Sequence, residues 1–260
     1  MTGHRAIVAS LIAIAAACSV ACRSEKSATS PTTNATAQPA DAPFARERGE
    51  MVTTELAARD ITNPRVLDAM GRVPRHRFVP DHLQAHAYGD GPLPIGHRQT
   101  ISQPYIVALM TQLADVKAGD RVLDIGTGSG YQAAVLAEIG ADVASIEIVP
   151  ELAAEAKTRL KDLGYKQVEV RAGDGYRGWP DRAPFKAVIL AAAAPQVPKP
   201  LLEQLAVGGK LVIPVGPEGE IQELQVITKK PDGRFQHESI APVAFVPMTG
   251  EVRDGKSGKK

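Results

Sequence analysis

Three glycines at alternate positions, Gly126, Gly128 and Gly130, follow a short apolar run in the stretch Arg121 to Tyr131, RVLDIGTGSGY. Glycine lets a backbone turn sharply or approach a ligand closely, and the Ala- and Leu-rich residues from Tyr131 to Ile139 predict a helix directly afterwards. A strand, a glycine turn and a helix N-terminus together present unpaired N–H groups at the C-terminal edge of a parallel sheet. About twenty residues on, the strand expected over Asp142 to Ile148 carries Glu147, placed where a carboxylate accepts hydrogen bonds from both hydroxyls of a ribose. Asp174, flanked by Gly173 and Gly175, follows the strand expected near Gln167 to Arg171. There it can reach an adenine amino group with little obstruction, although an ordinary Asp-Gly turn accounts for the same residues. The chemistry these residues fit is the binding of a nucleoside-bearing cofactor.

The spacing narrows the cofactor. A dinucleotide fingerprint needs a glycine at position 131, where Tyr131 stands, so the pattern is GxGxG rather than GxGxxG. That alternate spacing is associated with S-adenosylmethionine. Upstream, Leu93 to Tyr105 reads LPIGHRQTISQPY, polar and tightly punctuated, just before a helical pattern of Ile106, Leu109, Met110 and Leu113. Ser102 at this place is by position alone an N-cap.

The segments LPIG, QTISQPY, VLDIGTGSGYQ, SIE, GDG with Trp179 close behind, and GGKLVIPVG follow VPRHRFVP at Val73 to Pro80. They occur in the order seen in protein-L-isoaspartate O-methyltransferases, and the chain resembles that family from about Phe44 to Gly250. QTIS discriminates far better than the glycine loop, which many methyltransferases share. The resemblance implies S-adenosyl-L-methionine as methyl donor, no metal, and isoaspartyl-containing peptides and proteins as partners. The free α-carboxylate of an L-isoaspartyl residue would be methylated, and its ester would cyclise to a succinimide that partly reopens as normal aspartate. The resemblance also implies roles. Ser102 would orient the substrate carboxylate, with Thr100, Ile101 and Gln103 shaping the same wall; capping and orienting can coexist. Gly126, Gly128 and Gly130 would admit the methionine portion of the donor and Asp124 would act through its ammonium group. Glu147 would hold the ribose, and Asp174 with Gly175 the adenine. The family often has glycine where Arg98 stands, so the loop or its peptide preference is expected to differ.

The elements needed to position these residues are readable. Beyond residue 120, strands expected near Arg121 to Ile125, Asp142 to Ile148, Gln167 to Arg171, Phe185 to Ala191 and Lys210 to Val215 alternate with helices, clearest over Pro150 to Leu163 and Pro198 to Leu205. Such alternation predicts an α/β fold with a doubly wound, Rossmann-like, mostly parallel sheet. Ile221 to Thr228 and Arg234 to Ile240, joined across Pro231-Asp232-Gly233, predict a C-terminal antiparallel hairpin. N-terminal helices are expected over Arg46 to Ile61 and from Asn63-Pro64 onward, with Asn63 as N-cap. Arg72, Arg75, His76 and Arg77 form a basic cluster that reads as solvated surface cations, with a hold on a peptide carboxylate as the other reading.

Composition sets the frame. A chain of 260 residues, 44% hydrophobic and 23% charged, suits one sizeable globular domain, here 44–250. A net charge of +1 gives no broad attraction for phosphate backbones and weighs against a nucleic-acid partner. An adenine-type nucleic-acid enzyme would also carry an [N/D]PP[Y/F] segment where Ala191 to Pro198 reads AAAAPQVP. Both cysteines, Cys18 and Cys22, lie in a basic-then-apolar N-terminus that reads as a signal peptide or lipoprotein signal over 1–22. Either cysteine is a candidate for lipidation, the only membrane attachment expected. Residues 23–43 carry almost no large apolar side chain and read as a disordered spacer, and 251–260 as a charged tail. Export, periplasmic or lipid-anchored, is therefore expected, against the cytoplasmic default of the family, and so is a monomer. The alternatives are an exported binding protein that keeps the fold without catalysis, or a methyltransferase for another small carboxylate.

Overall fold

The structure, a computed structural model, describes residues 39–252. The expected signal segment, most of the spacer and the end of the tail lie outside the described residues. The last spacer residues and the first of the domain, Pro39–Phe44, form a 3-10 turn that leads into α1 (Ala45–Glu50). The helix expected over Arg46 to Ile61 is continuous only to Ala57 and changes type, because Met51–Ala57 widens to a π-helix before turning at Ala58. Helix α2 (Pro64–Arg72) begins as the sequence indicates, with the Asn63 side chain accepting from the Arg65 N–H and Pro64 at the first helical position.

A short antiparallel pair follows, β1 (Leu93–Gly96) and β2 (Gln99–Ile101). Strands of four and three residues are too short to show period-two patterning, so the sequence reads there only as punctuation. The connecting residues His97 and Arg98 have φ of 50° and 58°, the positive pair that a tight two-residue hairpin turn demands. Left-handed backbone disfavours a residue with a Cβ by about 1–2 kcal/mol. A glycine at 98 would relieve that strain.

After α3 (Pro104–Ala114) the chain builds β3 (Arg121–Ile125), α4 (Tyr131–Glu138), β4 (Asp142–Glu147), α5 (Pro150–Asp162), β5 (Val168–Ala172) and β6 (Phe185–Leu190). It ends with α6 (Lys199–Glu203), β7 (Leu205–Val215), β8 (Gln222–Lys229) and β9 (Phe235–Val243). One seven-stranded sheet has the order β5-β4-β3-β6-β7-β8-β9, parallel through β7 and antiparallel in the final hairpin. Central strands covered on both faces must be apolar throughout. Val122 accordingly joins the core beneath α3 and α4, while its neighbour Leu123 joins the core beneath Trp179 and Leu201. Every residue of α4 is buried, so its Ala-rich composition reflects close packing on all sides rather than one apolar stripe.

The strand order reverses at β3. Connections leave it towards β4 on one side and return to β6 on the other, so the loops at the carboxyl ends of β3 and β6 diverge and open a crevice.

Candidate active site

The crevice holds a cavity whose empty space, open mouth included, is about 900 Å³. Its floor is the β3 end and glycine loop, Ile125 to Ser129, with Ile146 to Ile148 beside it and Ala191 and Ala192 beyond β6. Gln99 to Ser102, leaving β2, form one wall; Val246 to Thr249, near the C-terminus, form the opposite one.

Backbone geometry explains the glycines. Gly126 (φ 89°) and Gly128 (φ 51°) adopt conformations closed to most side chains. A Cβ on Gly128 would stand 3.3 Å from Ile95 Cδ1, so the β1–β2 hairpin packs directly over the loop. Gly130 does not line the cavity. It caps α4 in left-handed geometry, and its missing Cβ admits Leu160, so its role is in packing the loop rather than admitting a ligand. Gly175 does line the cavity, and any side chain there would collide with Ile125.

Glu147 is 4% exposed, not the solvated charge that strand ends usually carry. Its Oε2 accepts from the Gly128 N–H at 2.7 Å and its Oε1 from the Val149 N–H at 3.0 Å. The carboxylate thereby ties the glycine loop to the start of α5, and each oxygen keeps a lone pair for a ligand hydroxyl.

Asp124 lies behind the floor and is fully buried. The Ser145 hydroxyl donates to its Oδ2 at 2.7 Å, and Thr127, which lines the cavity, contacts Ser145 at 2.6 Å. Its Oδ1 has no hydrogen-bond partner among the described residues. Burial pushes the carboxyl up to about 7, the Ser145 bond opposes this, and neighbouring Glu147 adds to it. An acid whose folded pKa exceeds its unfolded value holds its proton in the native state alone between about pH 4 and 7, so stability falls as pH rises through that window. The limiting slope is about 1.4 kcal/mol per pH unit. Asp124→Asn removes this component, and the variant should therefore gain on the ligand-free wild type between pH 5 and 8. Denaturant midpoints at the two pH values check this; parallel pH curves for the two proteins would refute it.

The wall from β2 brings Thr100, Ile101 and Ser102 together at the cavity. Gln103 is turned away, its amide donating to Asp90 at 2.6 Å. Ser102 is not the helix cap: Gln103 occupies that position without a side-chain bond, and Pro104 begins α3. Among the described residues, only the main-chain carbonyl of Ser102 is engaged, by Arg75 Nη2 at 2.7 Å, which leaves the hydroxyl unengaged.

Asp174 is outside the lining. Its Oδ1 accepts from the Tyr176 N–H at 2.9 Å and its Oδ2 from the Glu251 N–H at 2.7 Å. It acts as a cap for a 3-10 turn and as an anchor for the C-terminal segment. Glu251, expected at the head of a frayed tail, is pinned there and pairs with Arg177 through two bonds of 2.6 and 2.7 Å. The basic cluster is only partly a solvated face: Arg72 is exposed and Arg77 half-buried. Arg75 and His76 are buried within a 3-10 turn, and Arg72 donates to the buried Glu138 carboxylate at 2.6 Å. Among the described residues no group of His, Cys, Asp or Glu is arranged to hold a metal.

Sequence reasoning missed Tyr131, Gln132 and Val246 to Thr249 as lining residues. The first two were visible only as helix, and the last segment has no spacing signal because the fold alone carries it to the cavity.

The family model for protein-L-isoaspartate(D-aspartate) O-methyltransferase matches residues 46–253. The Protein-L-isoaspartate O-methyltransferase of Gloeobacter violaceus is 54% identical over 201 residues, 77% of this chain and 98% of that protein. That of Opitutus terrae is 57% identical over 205 residues, 79% and 88% of the two. Among solved structures, a Plasmodium falciparum protein described as a candidate enzyme of this kind, in complex with S-adenosyl-L-homocysteine, superposes with a TM-score of 0.68 at 26% identity. That likeness covers 78% of this chain and 98% of the other. The chain belongs to the protein-L-isoaspartate(D-aspartate) O-methyltransferase family.

Proposed function

We propose that this protein transfers a methyl group from S-adenosyl-L-methionine to the free α-carboxylate of L-isoaspartyl residues in damaged peptides and proteins. The observation that carries the reading is a single cavity in which a glycine loop tied by buried Glu147 faces a wall bearing the unengaged Ser102 hydroxyl. The cavity suits the donor: the positive φ of Gly126 and Gly128 keeps side chains off its floor, and Asp124 behind it offers a carboxylate oxygen without a hydrogen-bond partner among the described residues. In this reading Glu147 holds the ribose hydroxyls, Gly126, Gly128 and Gly175 allow close approach, and Asp124 balances the donor's cationic end through or beside Thr127. Asp174 contributes to the adenine region by anchoring the segment that closes it.

S-adenosylmethionine supplies a methyl group on a positively charged sulfur, open to in-line displacement. The acceptor carboxylate needs no base, since a carboxyl with a pKa near ~4 is ionised at neutral pH. The residues of this chain therefore act by placement, which contributes roughly 7–11 kcal/mol in favourable cases. Ser102 donates a hydrogen bond to the acceptor carboxylate, and Thr100 and Ile101 shape the surface that keeps it in line. The decisive experiment is methyl incorporation into matched isoaspartyl and aspartyl peptides.

The N-terminal sequence supports a further reading, that the protein is exported, anchored through Cys18 or Cys22 or released. The basic start, the apolar run and the following polar spacer carry it. Among the described residues no helix is long and apolar enough to cross a membrane. Cell fractionation is expected to place a shortened chain outside the cytosol; a full-length cytosolic chain would sink the proposal.

A further inference from the structure

Arg75 is 0% exposed and has no carboxylate partner among the described residues. Its Nε donates to the Ala87 carbonyl at 2.7 Å and its Nη2 to the Ser102 carbonyl at 2.7 Å, while Nη1 has no well-formed hydrogen bond among the described residues, the Tyr131 phenol beside it favouring the charged form. The guanidinium carbon lies 4.8 Å from the centroid of the Tyr131 ring. Ser102 and Tyr131 both line the cavity, so the cation stands directly behind the wall they form. Burial pushes Arg75 down to about 10, so it is still charged at neutral pH. Enclosing a cation without an anion is costly, and carbonyls and aromatic faces compensate only part of the lost hydration. The two carbonyls account for the donors of the side chain but not for its charge, because a neutral donor could satisfy them without enclosing a cation. An anion arriving on the other side of the wall would complete the charge balance.

We propose that Arg75 is a positioning residue for the methyl acceptor, holding the main chain of Ser102 from behind the cavity wall and supplying the positive charge that favours a carboxylate there. This rests on the proposed function, which supplies the anion. The planar fork matters as well as the charge, since it spans two carbonyls, on Ala87 and Ser102, that belong to different segments. A lysine at this place keeps the charge but cannot hold both carbonyls in the same fixed geometry.

Methylation of an isoaspartyl peptide by the unaltered protein is measured first, so that the proposed function stands or falls separately. Titration of the protein saturated with S-adenosyl-L-homocysteine then compares that peptide with one whose α-carboxylate is replaced by a carboxamide. The unaltered protein should prefer the carboxylate. Arg75→Met should reduce that preference about tenfold, a change of about 1.4 kcal/mol, with S-adenosyl-L-homocysteine affinity unchanged. Arg75→Lys should restore the preference yet turn over more slowly. A purely structural arginine would weaken both peptides alike and leave their ratio intact. If Arg75→Met does not fold, Arg75→Gln, neutral but able to donate to one carbonyl, makes the same comparison. An unchanged ratio in the neutral variant, or a loss of homocysteine-product affinity in step with peptide affinity, overturns the proposal.

Discussion

Glu147→Ala is expected to weaken S-adenosylmethionine binding by about two orders of magnitude. Two hydrogen bonds from ribose hydroxyls to a charged acceptor contribute about 1.5–3 kcal/mol each, and about 1.4 kcal/mol is tenfold in affinity. The alanine also deprives the Gly128 and Val149 N–H groups of their acceptor, so the loop loses its tie to the start of α5. Stability should fall with affinity, by roughly 1–3 kcal/mol for a buried donor left unpaired. Glu147→Gln, which keeps one acceptor and the shape, should lie between the two. Gly128→Val attacks the same loop from the other side, placing a branched Cβ at φ 51° against Ile95. Isothermal titration with S-adenosylmethionine reads all three variants, and undiminished affinity in Glu147→Ala and Gly128→Val would sink the assignment of this cavity to the donor.

Glu147 and the glycine loop were legible because the signal is local: a strand, a turn residue at fixed offsets and a strand end each have a short-range pattern. The same holds for β3 and β6, whose bounds match the expected ones closely, since buried parallel strands are apolar runs bounded by turns, whereas β7 starts at Leu205, ahead of the expected Lys210. Asp174 shows where locality ends. Its sequence, an Asp between glycines, is the same whether the carboxylate faces a ligand or receives the N–H of Glu251, 77 residues away. Arg75 and His76 failed for a related reason, as charge predicts exposure until a tertiary partner is supplied, and carbonyls from Ala87 and Ser102 leave no trace in spacing. Gln103, adjacent to the right wall, was misplaced by one step because the backbone there is still extended, so neighbouring side chains point to opposite sides. Ser102 was the instructive case: statistics made it a cap, the family resemblance made it an active-site residue, and in the structure only the second remains open to it.

That distinction gives the last prediction its control. An N-cap serine replaced by alanine typically costs ~1 kcal/mol of stability. Ser102 makes no capping bond, so Ser102→Ala should leave the melting temperature and S-adenosylmethionine affinity essentially unchanged. Methylation should nevertheless slow by about ten- to a hundredfold, the worth of one hydrogen bond to a charged acceptor. The wild-type enzyme should discriminate by geometry. Isoaspartate routes the main chain through the side-chain carbon and leaves the α-carboxylate free, whereas a normal aspartyl residue offers its carboxylate one methylene away from the same line. A displacement of order 1 Å from a near-attack arrangement costs about a hundredfold in rate, so the aspartyl peptide should lose turnover at least to that extent. With donor saturating, the rate should be flat across neutrality, because no group is asked to take a proton from the acceptor; the titration of Asp124 belongs to stability and donor binding instead. Methyl incorporation into matched peptides, with and without Ser102, checks each part. Equal rates for the two peptides would refute the substrate, and a variant as fast as wild type would refute the role of Ser102. A melting point lowered in step with the rate would return that residue to capping.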